Sequence, residues 1–158
     1  MDIQSALLIF AGIFNLGWII FFLRFYFKGV NRNISNFFIL NVVTVFLWIV
    51  TMFLYRNGQD DATILWMCKL LYVSAALIPV TLLYFAYFFP KGVTKYSVFK
   101  LIFIFLPTLI ILYLTYFTDT IVLNAYRVEN AEHFIVWGRF YFLYVIYIPL
   151  YFTWAFTV

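Results

Sequence analysis

Charge is scarce in this chain: Asp, Glu, Lys and Arg together make 10% of 158 residues, against about 25% in ordinary soluble domains. One cysteine and one histidine occur, so no disulfide can close within the chain. Zinc or haem ligation by those residue types cannot be assembled either, and no cofactor is expected. A metal site would have to combine His133 with Glu129 and Glu132; a solvated outer loop is the simpler reading of those residues, and no metal is expected. No glycine-rich phosphate loop is present. Catalytic signatures are therefore missing, and the chain is read as a non-enzyme. Cys68 reads as a small buried packing residue.

Apolar residues are what the chain has instead, at 67% hydrophobic and 25% aromatic. A chain of this length folding in water has no single core large enough to hide so much apolar surface. The lipid bilayer is thus the expected partner. A formal charge of +4 and a pI near 9.2 would favour nucleic acid in a soluble protein. Here the basic residues are scattered over loops between apolar runs, so no nucleic-acid partner is expected.

Runs of about twenty apolar residues predict helices at about 3–27, 36–55, 63–89, 97–118 and 139–158. The predicted fold class is an all-α membrane protein, a polytopic bundle of five transmembrane helices with a short extracytoplasmic β-hairpin, forming one domain over 1–158. Lys28 and Gly29 end the first run; Asn33, Ser35 or Asn36 is positioned to cap the second. Asp60 and Asp61 suit the positive amide end of the third, which Pro90, Lys91 and Gly92 terminate. Residues 120–137, rich in β-branched side chains around a polar "RVENAE", predict the hairpin, with Trp137 at headgroup level. Such a hairpin would act as a lid or a plug over the outer mouth.

Lysine and arginine placement predicts direction. Arg24, Lys28, Arg32, Lys91, Lys95 and Lys100 fall on one side, Arg56, Arg127 and Arg139 on the other, with all the acids on that second side. The amino terminus is expected outside a plasma membrane. Met1 and Asp2 form no basic leader, so the first span is read as a retained anchor. The fifth run stops at Val158 without a polar flank, and the chain is read as a fragment of a longer protein.

Polar residues inside the spans predict contacts between helices. Asn15, Asn41, Thr44, Ser74, Thr81 and Thr108 are expected to hydrogen-bond across helices. Lys69 lies near the outer end of the third helix and is expected to snorkel to water or reach Asp60 or Asp61. Pro79 is tolerated if neighbouring helices satisfy the carbonyl it frees, with Ser74, Ala75 and Ala76 permitting close approach. Pro107 and Pro149 add internal breaks in the fourth and fifth helices. On the fifth, Tyr141, Tyr144, Tyr147 and Tyr151 share a sector of about 120°. That face is expected to point into the bundle, as a packing seam in preference to a pocket wall.

Several of these stretches come in a familiar order: "NRNISNFFILNVVTVFLW", "ILWMCKLLYVSAALIPVTLLYFAYFFP", a proline within the fourth span, and "WGRFYFLYVIY". Together they resemble the N-terminal seven-transmembrane sensor region of bacterial and archaeal histidine kinases. The resemblance implies an outward amino terminus, seven helices and a cytoplasmic output region such as PAS and kinase domains, through which the protein dimerises. Two of those helices and the phosphoacceptor histidine box are not in this chain. The implied function is a membrane-embedded sensory input domain for signal transduction in a two-component system, responding to a lipid, a small molecule or the membrane state. Candidate sensing residues are Trp66, Lys69, Tyr72, Tyr141, Tyr144 and Tyr147. The alternatives are a transporter or channel fragment and a structural membrane subunit.

The predicted direction has a direct check. In a Cys68→Ala background in intact cells, a membrane-impermeant thiol reagent is expected to tag a cysteine placed beside Glu129 and to spare one beside Lys95. The opposite pattern would invert the topology.

Overall fold

The computed structural model describes residues 3–27, 32–89, 98–128 and 133–158. Five helices and one hairpin follow in order: α1 Ile3–Phe27, α2 Arg32–Arg56, α3 Asp61–Phe88, α4 Val98–Tyr116, β1 Val122–Tyr126, β2 Phe134–Trp137 and α5 Tyr141–Thr157. Four helices are long and apolar enough to cross a membrane. The fifth, expected over 139–158, has 17 residues and a length of about 26 Å at 1.5 Å per residue.

It starts late because the chain at Gly138–Phe140 is still turning. The Phe140 N–H donates to the Thr120 carbonyl at 2.8 Å and the Tyr141 N–H to that of Gly138 at 3.2 Å. The second helix begins at Arg32, ahead of its apolar stretch Asn36–Arg56. Asn33, Ser35 and Asn36 consequently lie within its first turns and cannot be its N-cap. Hydropathy marks the apolar part of a helix, whereas backbone hydrogen bonding continues into polar residues beyond it. The expected stops at Lys28–Gly29 and at Pro90–Gly92, and Lys91, Lys95, Glu129 and Glu132, lie outside the described residues.

At the start of α3 the acids act as expected. The Asp60 carboxylate accepts from the Thr63 N–H at 2.8 Å and from the Thr63 hydroxyl at 2.8 Å, which satisfies one of the helix's free amides. These bonds favour the ionised form and hold the Asp60 carboxyl below its ordinary value of 3.8. Asp61 accepts from the Arg127 backbone N–H at 2.9 Å and so ties the far end of β1 to the same helix start.

α3 is the axis of the bundle. It packs against α2, α4, α5 and β1, whereas α1 packs chiefly against α2 as a largely exposed outer helix. The buried cluster runs along α3 through Ile64, Cys68, Ala76, Val80 and Leu83. Cys68 is a free, fully buried thiol. At the end of the bundle away from the hairpin, Phe37 stacks on Phe88 with centroids 4.5 Å apart.

Polar residues join α2 to α3 along their length. The Asn41 amide donates to the Thr81 hydroxyl at 2.9 Å and to the Ile78 carbonyl at 3.2 Å. The Thr44 hydroxyl stands 3.1 Å from that of Thr81, and Thr51 3.0 Å from Ser74. Asn15 departs from the expected pattern: its side-chain oxygen is buried without a hydrogen-bond partner among the described residues.

β1 and β2 pair antiparallel, with a register shift between Val122 and Asn124. Ile121, Val122 and Ala125 are fully buried, so the hairpin is packed onto the end of α3. At Gly138 the chain passes close to the segment Asp119–Thr120. A Cβ there would stand 2.3 Å from the Thr120 carbonyl oxygen and 2.6 Å from that of Asp119. Both are backbone atoms and have no flexible side chain to swing aside. Gly138→Ala is expected to lower stability in detergent by about 1–3 kcal/mol through overpacking. Gly17→Ala, which meets nothing within 4 Å, serves as the control; equal melting of both variants would refute the close approach.

Candidate functional site

The tyrosine face of α5 points inward. Tyr144, Tyr147 and Tyr151 are buried and Tyr141 is half-buried. Each buried phenol reaches a backbone carbonyl on another helix: Tyr144 donates to Tyr72 at 3.0 Å, Tyr147 to Ala76 at 2.9 Å and Tyr151 to Ile104 at 2.6 Å. The Thr108 hydroxyl is 2.8 Å from that of Tyr147. A phenol has one proton, which Tyr147 gives to Ala76, so Thr108 is the donor of this bond.

Two of the acceptors have a common setting. Ala76 stands three residues before Pro79 and Ile104 three residues before Pro107. Proline deletes one donor from the backbone ladder and crowds the carbonyl of the preceding turn. A phenol from α5 adds a bond to that turn on each helix. The expectation that a neighbouring helix satisfies the carbonyl freed by Pro79 is not met at that atom: the freed carbonyl is that of Ala75, and the phenol of Tyr147 goes to the next one, Ala76. No break occurs: α3, α4 and α5 each continue as helix through Pro79, Pro107 and Pro149.

The candidate sensing residues separate into two groups. Tyr72, Tyr141 and Tyr144 gather around Trp137 of β2. The Trp137 ring stacks on Tyr141 with centroids 4.0 Å apart and meets Tyr72 edge-on at 5.5 Å. Tyr72 and Tyr144 meet at 5.2 Å. Tyr147 lies one turn further along α5, at the Ala76 and Thr108 contact. Trp66 and Lys69 instead face α4, where Trp66 tilts against Tyr116 at 5.6 Å.

Lys69 does not reach Asp60 or Asp61. Those acids are eight and nine residues away, about 12–14 Å along the helix axis, further than a lysine side chain extends. Its ammonium pairs with Asp119, just beyond α4, at 2.8 Å. It also donates to the Thr118 carbonyl at 3.4 Å and lies 5.8 Å from the Trp66 ring centroid. The two partners differ in exposure, with 8% of the Lys69 side chain and 66% of that of Asp119 accessible.

A cleft of about 880 Å³ opens at the hairpin end, between the start of α1, the end of α2, α3 and the hairpin. Arg56, Arg127, His133, Tyr55 and Tyr72 contribute to its wall, and Met52, Leu71 and Ile135 give it apolar surface. The His133 ring meets Tyr55 edge-on at 5.2 Å, and the Tyr55 hydroxyl donates to the His133 carbonyl at 3.3 Å. Both ring nitrogens of His133 are buried with no hydrogen-bond partner among the described residues. Of this wall, sequence reading singled out Tyr72 alone as a candidate. Arg56 and Arg127 entered it as topology charges and His133 as part of a loop read as solvated. Their shared side of the predicted membrane was the available signal. Of the residues that a metal site would have had to combine, Glu129 and Glu132 lie outside the described residues, and no group of three or more His, Cys, Asp or Glu suited to a metal occurs among the described ones.

No protein-family model, curated protein or solved structure matches the chain. The resemblance to histidine-kinase sensor regions therefore rests on the sequence patterns that carry it.

The exposure difference across the Lys69–Asp119 pair predicts asymmetric mutants. Asp119→Ala strands a buried ammonium and is expected to lower stability by about 1–3 kcal/mol. Lys69→Met leaves an exposed carboxylate that water can solvate, with a change of about 1 kcal/mol or less. Thermal unfolding in detergent measures both; an equal or larger loss in Lys69→Met would contradict this geometry.

Proposed function

We propose that the chain is a membrane-embedded sensory input domain of the histidine-kinase type, and that α5 is its moving part. It crosses a plasma membrane five times with its amino terminus and hairpin outside, and relays a lipid, small-molecule or membrane-state signal to a cytoplasmic output domain. The observation that carries this reading is the bonding of α5 phenols to carbonyls in the proline turns of α3 and α4. A hydroxyl can exchange one carbonyl for another by a small slide or rotation, and beside each bonded carbonyl lies one, at Ala75 and at Phe103, that has lost its backbone donor to proline and offers a second acceptor. Two packings of α5 then differ by the exchange of a few hydrogen bonds, the small gap that a sensor needs. Trp137 and Gly138 connect the same helix to the hairpin, so a disturbance at that end bears directly on the tyrosine seam.

Individual interhelical hydrogen bonds in membranes contribute about 0.6–2 kcal/mol. Removing one from a balanced two-state element shifts its equilibrium by about threefold to thirtyfold. With the chain fused to a kinase output module in cells, Tyr147→Phe and Tyr151→Phe are each expected to shift basal output by at least threefold at unchanged membrane abundance. Output indifferent to both, or solute flux through proteoliposomes containing the chain alone, would overturn the reading in favour of a structural subunit or a transporter.

A further inference from the structure

We infer that α5 is a ratchet: it steps by one helical turn away from the hairpin, and Tyr141, Tyr144 and Tyr147 then take the bonding places that Tyr144, Tyr147 and Tyr151 hold at rest. Those places are the Tyr72 carbonyl, the Ala76 carbonyl beside the Thr108 hydroxyl, and the Ile104 carbonyl. Residue numbers rise together from Tyr144–Tyr72 to Tyr147–Ala76, so α5 runs parallel to α3. They run oppositely from Tyr147–Thr108 to Tyr151–Ile104, so it runs antiparallel to α4. The three places therefore form one row along α5, and a slide carries every phenol toward the next place.

Donor spacing permits the step. Tyr141, Tyr144, Tyr147 and Tyr151 follow one another at three, three and four residues. Moving by three residues asks for a rotation of about 60° in one sense and moving by four for about 40° in the other, so the step is chiefly a slide of about 4.5–6 Å. One-turn shifts of one packed element past another are among the ways proteins switch. At rest Tyr141 takes no part in the row and packs against Trp137 and Tyr72. The face thus carries one phenol more than the row has places. A step the other way would drive Tyr141 into Trp137, which already stacks on it at 4.0 Å.

The hairpin holds the resting register. The Gly138 N–H donates to the Ile121 carbonyl at 2.9 Å and the Phe140 N–H to that of Thr120 at 2.8 Å, while Ile121 and Val122 are fully buried. Releasing these two bonds lets Gly138–Phe140 straighten toward about 3.3–3.6 Å per residue, enough to cover the step. Whatever loosens the hairpin from α5 is then the regulator of the tyrosine seam. That regulation rests on the sensory reading, whereas the step itself does not.

The test uses the full chain in nanodiscs, in a Cys68→Ala background, with spin labels on Phe142→Cys and Ile102→Cys. Both positions are exposed, and they lie near the starts of antiparallel helices, toward opposite ends of the bundle. Pulsed dipolar spectroscopy reads their separation, which the step shortens by about 2–4 Å. Tyr151→Phe gives up one place at rest and none after the step, so it is expected to raise the short-distance fraction at least threefold. Tyr147→Phe, with two bonds at rest and one after the step, is expected to shift it the same way. Tyr141→Phe gives up a place only after the step, so adding it to Tyr151→Phe is expected to lower that fraction again at least threefold. Two purely structural losses would add instead of cancelling. An unchanged or longer distance in Tyr151→Phe, or a short-distance fraction that persists in the double variant, would overturn the inference. Shortening without any change in a fused output would sink the sensory reading and leave the step standing; altered output at constant distance would do the reverse.

Discussion

A hydroxyl or amide inside an apolar helical bundle has to find its hydrogen-bond partner within the bundle, because neither lipid nor an apolar core supplies one. The arrangement around α3 follows from this constraint. Toward α2 it is met by side chain on side chain, through Asn41, Thr44 and Thr81 and again through Thr51 and Ser74. Toward α5 it is met by phenol on backbone, at Tyr72 and Ala76. The hydrophobic effect does not choose between rotations of one greasy helix against another when lipid is as apolar as leucine. Paired polar atoms do, since a wrong rotation leaves several of them unsatisfied together.

The prolines take on a different meaning in that frame. Pro79 and Pro107 do not interrupt their helices; each thins the backbone ladder at one turn, and a tyrosine of α5 bonds into that turn. Proline and tyrosine thereby make a joint that is closed by side-chain bonds and needs no cavity. Lys69 shows the same logic with a charge. Its ammonium is buried on the α4 side of α3, and the loop after α4 brings Asp119 to it. The pair fixes the end of α4 just before the chain enters the hairpin, and Gly138 then lets the returning strand lie against that loop.

The inward face of α5 was legible in the sequence because four tyrosines at helical spacing in an apolar run demand partners. The hairpin was legible from β-branched residues on both sides of a polar turn. The polar residues Asn41, Thr44, Ser74, Thr81 and Thr108 were legible as interhelical contacts, whereas Asn15, not distinguishable from them by spacing, has its side-chain oxygen buried without a hydrogen-bond partner among the described residues. Lys69 was expected to snorkel to water or to reach Asp60 or Asp61, the acids nearest in sequence, whereas its side chain is buried and its partner, Asp119, is 50 residues away. The cleft was not legible: Arg56, Arg127 and His133 come from three separate segments, and each alone reads as a solvated charge or a loop histidine.

The sequence by itself determined the class of the protein. Apolar runs set the number of helices and their approximate places, aspartates set the start of α3, and tyrosine periodicity set which side of α5 turns inward, all of them properties of a helix and its own neighbours in the chain. Only tertiary structure decided which carbonyl each phenol reaches, which acid neutralises Lys69, and which cationic side chains share a cleft. Those choices depend on the rotation and depth of one helix relative to another, and local spacing carries no information about either.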